Sequence, residues 1–292
     1  MLKKILQLTL VLMLTTTVVL AQESLKNRND IRILPQTGEY AIGFSAVPIL
    51  NWVGNTFNGN QNNVFIGENK FVSNLGQNVV FGKYMLEENV AIRAHLRVGI
   101  MNDKRLNYVI DDTKNSPDSL VIDKGLFNNQ IYIIGAGYEF RRGQTRLQGI
   151  YGGDIFFMLA RNTASYEYGN VHGMLNQAPT TTTVFFNNGG GLSSPQGMRP
   201  VSEEDGSIYG IGLRPFAGVE YFFAPRMSIG GEFGWNISYN KRTEGLMVEE
   251  YFAPDQGENG RVIQKETPIA GSRTWFLDTD NFNGALFLMF YF

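Results

Sequence analysis

From Arg226 to Tyr239 the chain alternates without a break. Met227, Ile229, Gly231, Phe233, Trp235, Ile237 and Tyr239 fall on one parity. Arg226, Ser228, Gly230, Glu232, Gly234, Asn236 and Ser238 fall on the other. Successive side chains of a strand point to opposite faces, so a period of two predicts a strand with one apolar and one polar face. Val90, Ile92, Ala94, Leu96, Val98 and Ile100 alternate in the same way with Arg93, His95 and Arg97. Tyr132, Ile134, Ala136, Tyr138 and Phe140 oppose Glu139 and Arg141, and Leu147, Tyr151, Ile155 and Phe157 oppose Arg146 and Asp154. Leu213, Ala217, Val219, Tyr221 and Phe223 oppose Arg214 and Glu220. Two further strands are expected near 39–49 and 77–86, with Tyr40, Ile42, Phe44, Val80, Tyr84 and Leu86 on the apolar side. The last carries Phe282, Leu286, Leu288, Phe290 and Phe292 on one face.

Eight strands of this kind, each close to the roughly 9–11 residues that a tilted strand needs to cross hydrocarbon, predict an all-β fold. The expected architecture is an antiparallel up-and-down transmembrane β-barrel over residues 38–292. The connections agree with it. Long stretches at 51–76, 102–129, about 161–206 and 241–273 alternate with short ones at Glu87–Asn89, Arg142–Thr145 and Phe223–Arg226. Four long extracellular loops and short periplasmic turns are what an outer-membrane barrel shows. The apolar runs Val64–Ile66, Val121–Ile122, Thr180–Phe186 and Leu246–Val248 predict strand extensions above the bilayer. Ten strands would result if one such hairpin entered the wall. Pro215 faces outward inside a strand and lacks an N–H, so one ladder bond should be missing there.

The N-terminus reads as an export signal: Lys3 and Lys4, an apolar stretch from Ile5 to Leu20, and a cleavage site after Ala21. A short periplasmic segment, 22–37, would follow. With no cysteine in 292 residues, disulfides, thiol catalysis and thiolate metal sites are excluded. Without the leader, 23 basic residues face 27 acidic ones, a balance that gives nucleic acid no footing. The 33 glycines and 13% aromatic share favour a β-rich chain.

The polar parity of the strands would point into a lumen too narrow for a wide channel. Lys83, Arg93, Arg97, Glu139, Asp154, Arg214, Glu220 and Glu232 are the expected members of a charge network there, with Arg141, Arg146, Arg226, Glu39 and Asp103 on the same faces. Buried charges persist only when paired, so salt bridges are the expectation. Tyr84, Tyr221 and Phe290 fall at the expected periplasmic interface and Trp52 and Trp235 at the outer one, where rings with one wet edge anchor a barrel. His95 between Arg93 and Arg97 reads as a lumen filler rather than a base, and His172 has no second ligand at metal-site spacing. No catalytic, cofactor-binding or metal-binding constellation is found.

The terminal strand from Gly284 to Phe292, together with the leader and the alternation, resembles the small outer-membrane β-barrel superfamily that includes the OmpA transmembrane domain and OmpX, a porin-like architecture. That resemblance covers about residues 38–292. It implies the outer membrane of a Gram-negative bacterium, lipid and lipopolysaccharide as neighbours, and recognition of the C-terminal Phe292 by the barrel-assembly machinery. It implies fold and place rather than activity. The expectation is a non-enzymatic barrel whose loops serve structure, adhesion or an extracellular partner. A narrow small-solute channel is the alternative, and a lipid-modifying enzyme stands behind it.

Overall fold

The computed structural model describes residues 32–46, 80–114, 116–143, 145–179, 198–253, 260–278 and 285–292. Eight of its strands close a ring. In chain order these are β1 (Tyr40–Ser45), β2 (Val80–Glu87), β3 (Val90–Ile110), β4 (Leu120–Arg142) and β5 (Leu147–Glu167), then β7 (Ile208–Ala224), β8 (Met227–Gly234) and β13 (Ala285–Tyr291). Each pairs antiparallel with the next, and β13 closes on β1 with Ala41 opposite Tyr291 and Phe44 opposite Leu288. The eight-strand closed barrel expected from the alternation is what the chain forms. The ten-strand alternative is not, because the further strands lie outside the ring.

Alternation fixes which face looks where. Leu96, Val98 and Ile100 on β3, Ile134 and Tyr138 on β4, and Ile155 and Phe157 on β5 are exposed on the outside, while Arg93, Glu139 and Asp154 are buried inside. Polar-in and apolar-out inverts the arrangement of a water-soluble protein, in which the larger apolar side chains collect in the core. From Val90 to Ile100 the outward stripe climbs about 25 Å, taking roughly 3.3 Å per residue and a tilt of roughly 40°.

The strand extensions expected at Val121–Ile122 and Leu246–Val248 are present, in β4 and in a strand over 245–253, and three of the long connections hold more strand than their expected bounds allow. The stretch 102–129 is mostly strand: β3 and β4 stay paired from Val90 opposite Phe140 up to Ile110 opposite Leu120, leaving a turn of only 111–119. Within 161–206, β5 runs on to Glu167 and a short strand, β6 (Arg199–Glu204), pairs with its upper end. In 241–273 a hairpin forms from β10 (Gly245–Ala253) and β11 (Arg261–Ile269), and β10 docks on β6. The sheet β6–β10–β11 therefore peels away from the barrel where β5 exchanges its partner: Ala160 still faces Ile208 of β7, whereas Thr163 faces Glu204 of β6. The fourth connection, 51–76, lies outside the described residues. So do Trp52, Val64–Ile66, Thr180–Phe186 and the leader.

Pro215 accounts for another boundary. β9 (Asn236–Arg242) continues β8 along β7 in unchanged register, with Phe216 opposite Gly234 and Leu213 opposite Ile237. Between them the Trp235 N–H donates to the Pro215 carbonyl at 2.9 Å. The return bond is impossible because proline has no N–H. One ladder bond is lost, without a bulge. On its other edge β9 carries β12 (Ser272–Asp278), which leads towards β13.

Candidate functional site

The inward faces fill the lumen in layers. At the end that carries the short turns, Ile33, Met85, Ala91, Phe222, Met289 and Tyr291 form an apolar floor. Ile33 precedes β1, so the described residues just before that strand reach into the barrel. Farther up, Ile131, Ile133, Phe156 and Ala160 form an apolar ceiling.

Between floor and ceiling lies an ionic layer. Lys83 contacts Glu139 at 2.8 Å and Glu220 at 3.2 Å. Arg93 reaches three carboxylates: Glu232 at 2.9 Å, Asp154 at 3.3 Å and Glu139 at 3.5 Å. Arg214 meets Glu232 at 2.9 Å and Asp154 at 3.5 Å. Arg141 joins Glu220 at 2.6 Å and Glu139 at 3.1 Å. Four cations thus face four carboxylates, all in one connected cluster that carries no net charge. Alternation on β2, β3, β4, β5, β7 and β8 delivers each of them, because all sit at the parity opposite the apolar stripe.

Side-chain hydroxyls complete the cluster. Ser228 donates to Glu220 at 2.5 Å, Tyr291 donates to the same oxygen at 2.7 Å, and Arg141 also donates to the Tyr291 hydroxyl. Aromatic faces cover the guanidinium groups, with Arg93 lying 4.0 Å from the ring centre of Phe216. A buried charge paired in this way is compensated by its neighbours.

Seven of the eight residues expected in the lumen network are in this cluster. Arg97 is buried on the same inward face but lies farther along β3, level with Ile133. His95 also points inward, and its ring takes the space beside Gly135, where a Cβ would come within 2.2 Å of it. Four other charges lie elsewhere. Arg226 and Glu39 form a 3.4 Å pair in which the Arg226 side chain is exposed, and half-buried Arg146 donates to the Phe223 carbonyl. Asp103 pairs with Arg105 at 2.7 Å in the extension above the barrel. The reason is height. Parity sets the face of a residue but not its distance from the rim. Sequence reasoning missed the hydroxyls of Ser228 and Tyr291 and the floor residue Ile33. Both hydroxyls share the inward parity, and Ile33–Leu34 is an apolar pair in a polar segment, so the signals were present.

Of the aromatic residues expected at the interfaces, Tyr84, Tyr221 and Phe290 lie near the end that carries the short turns. Tyr84 packs against Tyr40 with ring centres 4.7 Å apart, Phe290 stacks on Phe44 at 5.8 Å, and Tyr221 is exposed on the outer face. Phe292 pairs through its backbone with Tyr40 in both directions. Trp235 lies opposite Pro215 with Phe233 edge-on at 5.4 Å, and Trp275 on β12 packs against Tyr239 at 5.0 Å. Trp52 is outside the described residues.

Above the barrel, the loop after β5 is tied down. The Asn170 side chain donates to the Ile110 carbonyl at 2.7 Å and accepts from the Asp112 N–H at 3.0 Å, and Gly169 N–H donates to Asp123 at 2.8 Å. Arg199 on β6 binds the Asn170 carbonyl and Glu250 of β10, and lies over the Tyr168 ring at 4.1 Å. At the turn, Thr113 donates twice to Asp111, which holds that carboxyl below its ordinary value. The extension is a folded piece in its own right. His172 is held within it by the Gln177 carbonyl at 3.1 Å from its Nδ1.

No protein-family model, curated protein or solved structure matches this chain.

Proposed function

We propose that the protein is an integral outer-membrane β-barrel of a Gram-negative bacterium, exported through a leader at residues 1–21 and acting through its surface extension in a structural, adhesive or partner-binding role. The observation that carries this reading is the continuous apolar belt on the outside of a ring whose inside is filled by paired charge. Exposed Ile92, Leu96, Val98, Ile134, Phe157, Leu213, Phe233 and Leu286 would together cost up to roughly 12–24 kcal/mol to hydrate, at roughly 1.5–3 kcal/mol for each large side chain. Hydrocarbon removes that cost, and the closed ladder leaves no sheet edge among the lower strands for lipid to meet. No helix among the described residues is long and apolar enough to span, so strands would do the spanning.

The extension supplies the functional half. Loops on a rigid barrel are where recognition is carried, and here they are pre-organised by Asn170, Arg199 and the β6–β10–β11 sheet. In the lumen, the four cations and four carboxylates of the ionic layer are engaged with one another, which favours a structural role for them. The test is membrane integration. The mature protein should resist alkaline carbonate extraction of envelopes, leave them only with detergent, and show β-type circular dichroism in micelles. A monodisperse protein in detergent-free buffer would end the proposal.

A further inference from the structure

On the outer face of the extension, immediately above the apolar belt, there is a groove. Two adjoining depressions form it, of about 560 Å³ and about 250 Å³, and both include Asn128 and Thr163. Its side is fixed by parity. Asn128 and Gln130 on β4 continue the outward series Tyr138, Ile134, Tyr132. Arg161, Thr163 and Ser165 on β5 continue Ile155, Phe157, Leu159. The far wall is Ser202 and Glu204 on β6 with Leu246 on β10, because this sheet curls off the barrel there. The groove thus opens over the lipid-facing wall, roughly 5–10 Å beyond the end of the belt at Ile100, where outer-leaflet headgroups lie.

Its chemistry selects among headgroups. Amides (Asn102, Asn128, Gln130) and hydroxyls (Thr163, Ser165, Ser202) are set among apolar surface that includes Leu126 and Leu246. Lining carboxylates outnumber cations, Asp103, Glu203 and Glu204 against Lys104 and Arg161, and Arg161 is itself bound to Glu204 at 2.6 Å. A site built for phosphate would carry unbalanced cations. Neutral donors and acceptors beside aliphatic carbon instead fit the hydroxyls and C–H faces of a sugar.

We propose that this groove binds the saccharide headgroup of an outer-leaflet glycolipid, whose acyl chains lie down the wall along Ile100, Tyr132 and Leu159. The inference rests on the membrane-spanning reading above. Occupancy by a lipid-linked rather than a free saccharide follows from the position, since the groove opens directly onto the apolar wall.

The test titrates detergent-purified protein by thermophoresis with rough lipopolysaccharide and, separately, with the oligosaccharide released from it by delipidation. The wild type should bind the intact glycolipid, and the oligosaccharide at least tenfold more weakly. The Asn128→Ala/Thr163→Ala double variant should bind the glycolipid about tenfold more weakly, as expected for two lost hydrogen bonds. Folding is checked by the heat-dependent gel shift of closed barrels. If the double variant fails that check, Ser165→Trp, which fills the groove from an exposed position, replaces it with the same expected loss. Absence of wild-type binding, equal binding by a folded groove variant, or equal affinity for the free oligosaccharide would each overturn the proposal. Failure of the membrane reading would show itself separately, as a protein that needs no detergent.

Discussion

Arg93 is the residue on which the lumen turns. It is the only one of the four cations to reach three carboxylates, and it touches side chains from β4, β5 and β8. Removing one partner of a buried ion cluster leaves uncompensated charge, which costs more than the pair itself contributes. Arg93→Met should therefore destabilise the barrel by roughly 3–5 kcal/mol. The double variant Arg93→Met/Glu232→Met restores neutrality, and Arg214 still meets Asp154, so it should recover a substantial part of that loss. Urea unfolding in micelles, read as a double-mutant cycle, measures both. A double variant as damaged as the sum of its singles would mean that geometry rather than charge balance holds the layer. The identity of these residues was legible beforehand because inward parity and charge coincide. Their partners were not, since the alternation says nothing about which strands face each other across the lumen.

At the scale of strands, the sequence was most informative where one face meets lipid and the other meets charge. The pattern blurs at Asn102–Lys104 and Asn128–Gln130, where both faces are polar, so the wall strands were expected to end there, with only the apolar run Val121–Ile122 marking an extension beyond. The strands continue nevertheless, because the alternation resumes at Leu106, Tyr108 and Ile110 opposite Lys124, Ile122 and Leu120. The partner exchange of β5 and the docking of β10 on β6 depend on contacts between segments some 40–50 residues apart, and no local period carries that information. Pro215 was the opposite case, since a single residue announced its own missing bond. Because register is unchanged around it, Pro215→Val can restore the N–H without rearrangement and lets it donate to the Trp235 carbonyl. The gain should be about 1 kcal/mol, and more if that carbonyl is dry. Unfolding midpoints of wild type and P215V in the same micelles decide it. An unchanged or lower midpoint would show that the carbonyl is already satisfied.

For the molecule as a whole, the stacked layers bear on transport. A conducting pore needs a continuous wet path, but here Phe222, Met85 and Ile33 close the floor and Ile131, Ile133 and Phe156 narrow the ceiling. Between them the ionic cluster offers no excess charge to attract a counter-ion. A hydrated ion crossing it would have to separate pairs such as Arg93–Glu232 and Lys83–Glu139, both buried and both within 3 Å. That penalty is several kcal/mol per broken pair and is not returned by a single permeating charge. The purified protein should accordingly be silent in planar bilayers at high loading. Ile33→Gly should be silent too, because it opens only the floor and leaves the ionic layer in place. Discrete conductance steps in the wild type would show that the cluster rearranges, and the narrow-channel alternative would then displace a sealed barrel. Steps confined to Ile33→Gly would instead assign the seal to the floor and make the paired charges part of a gated path.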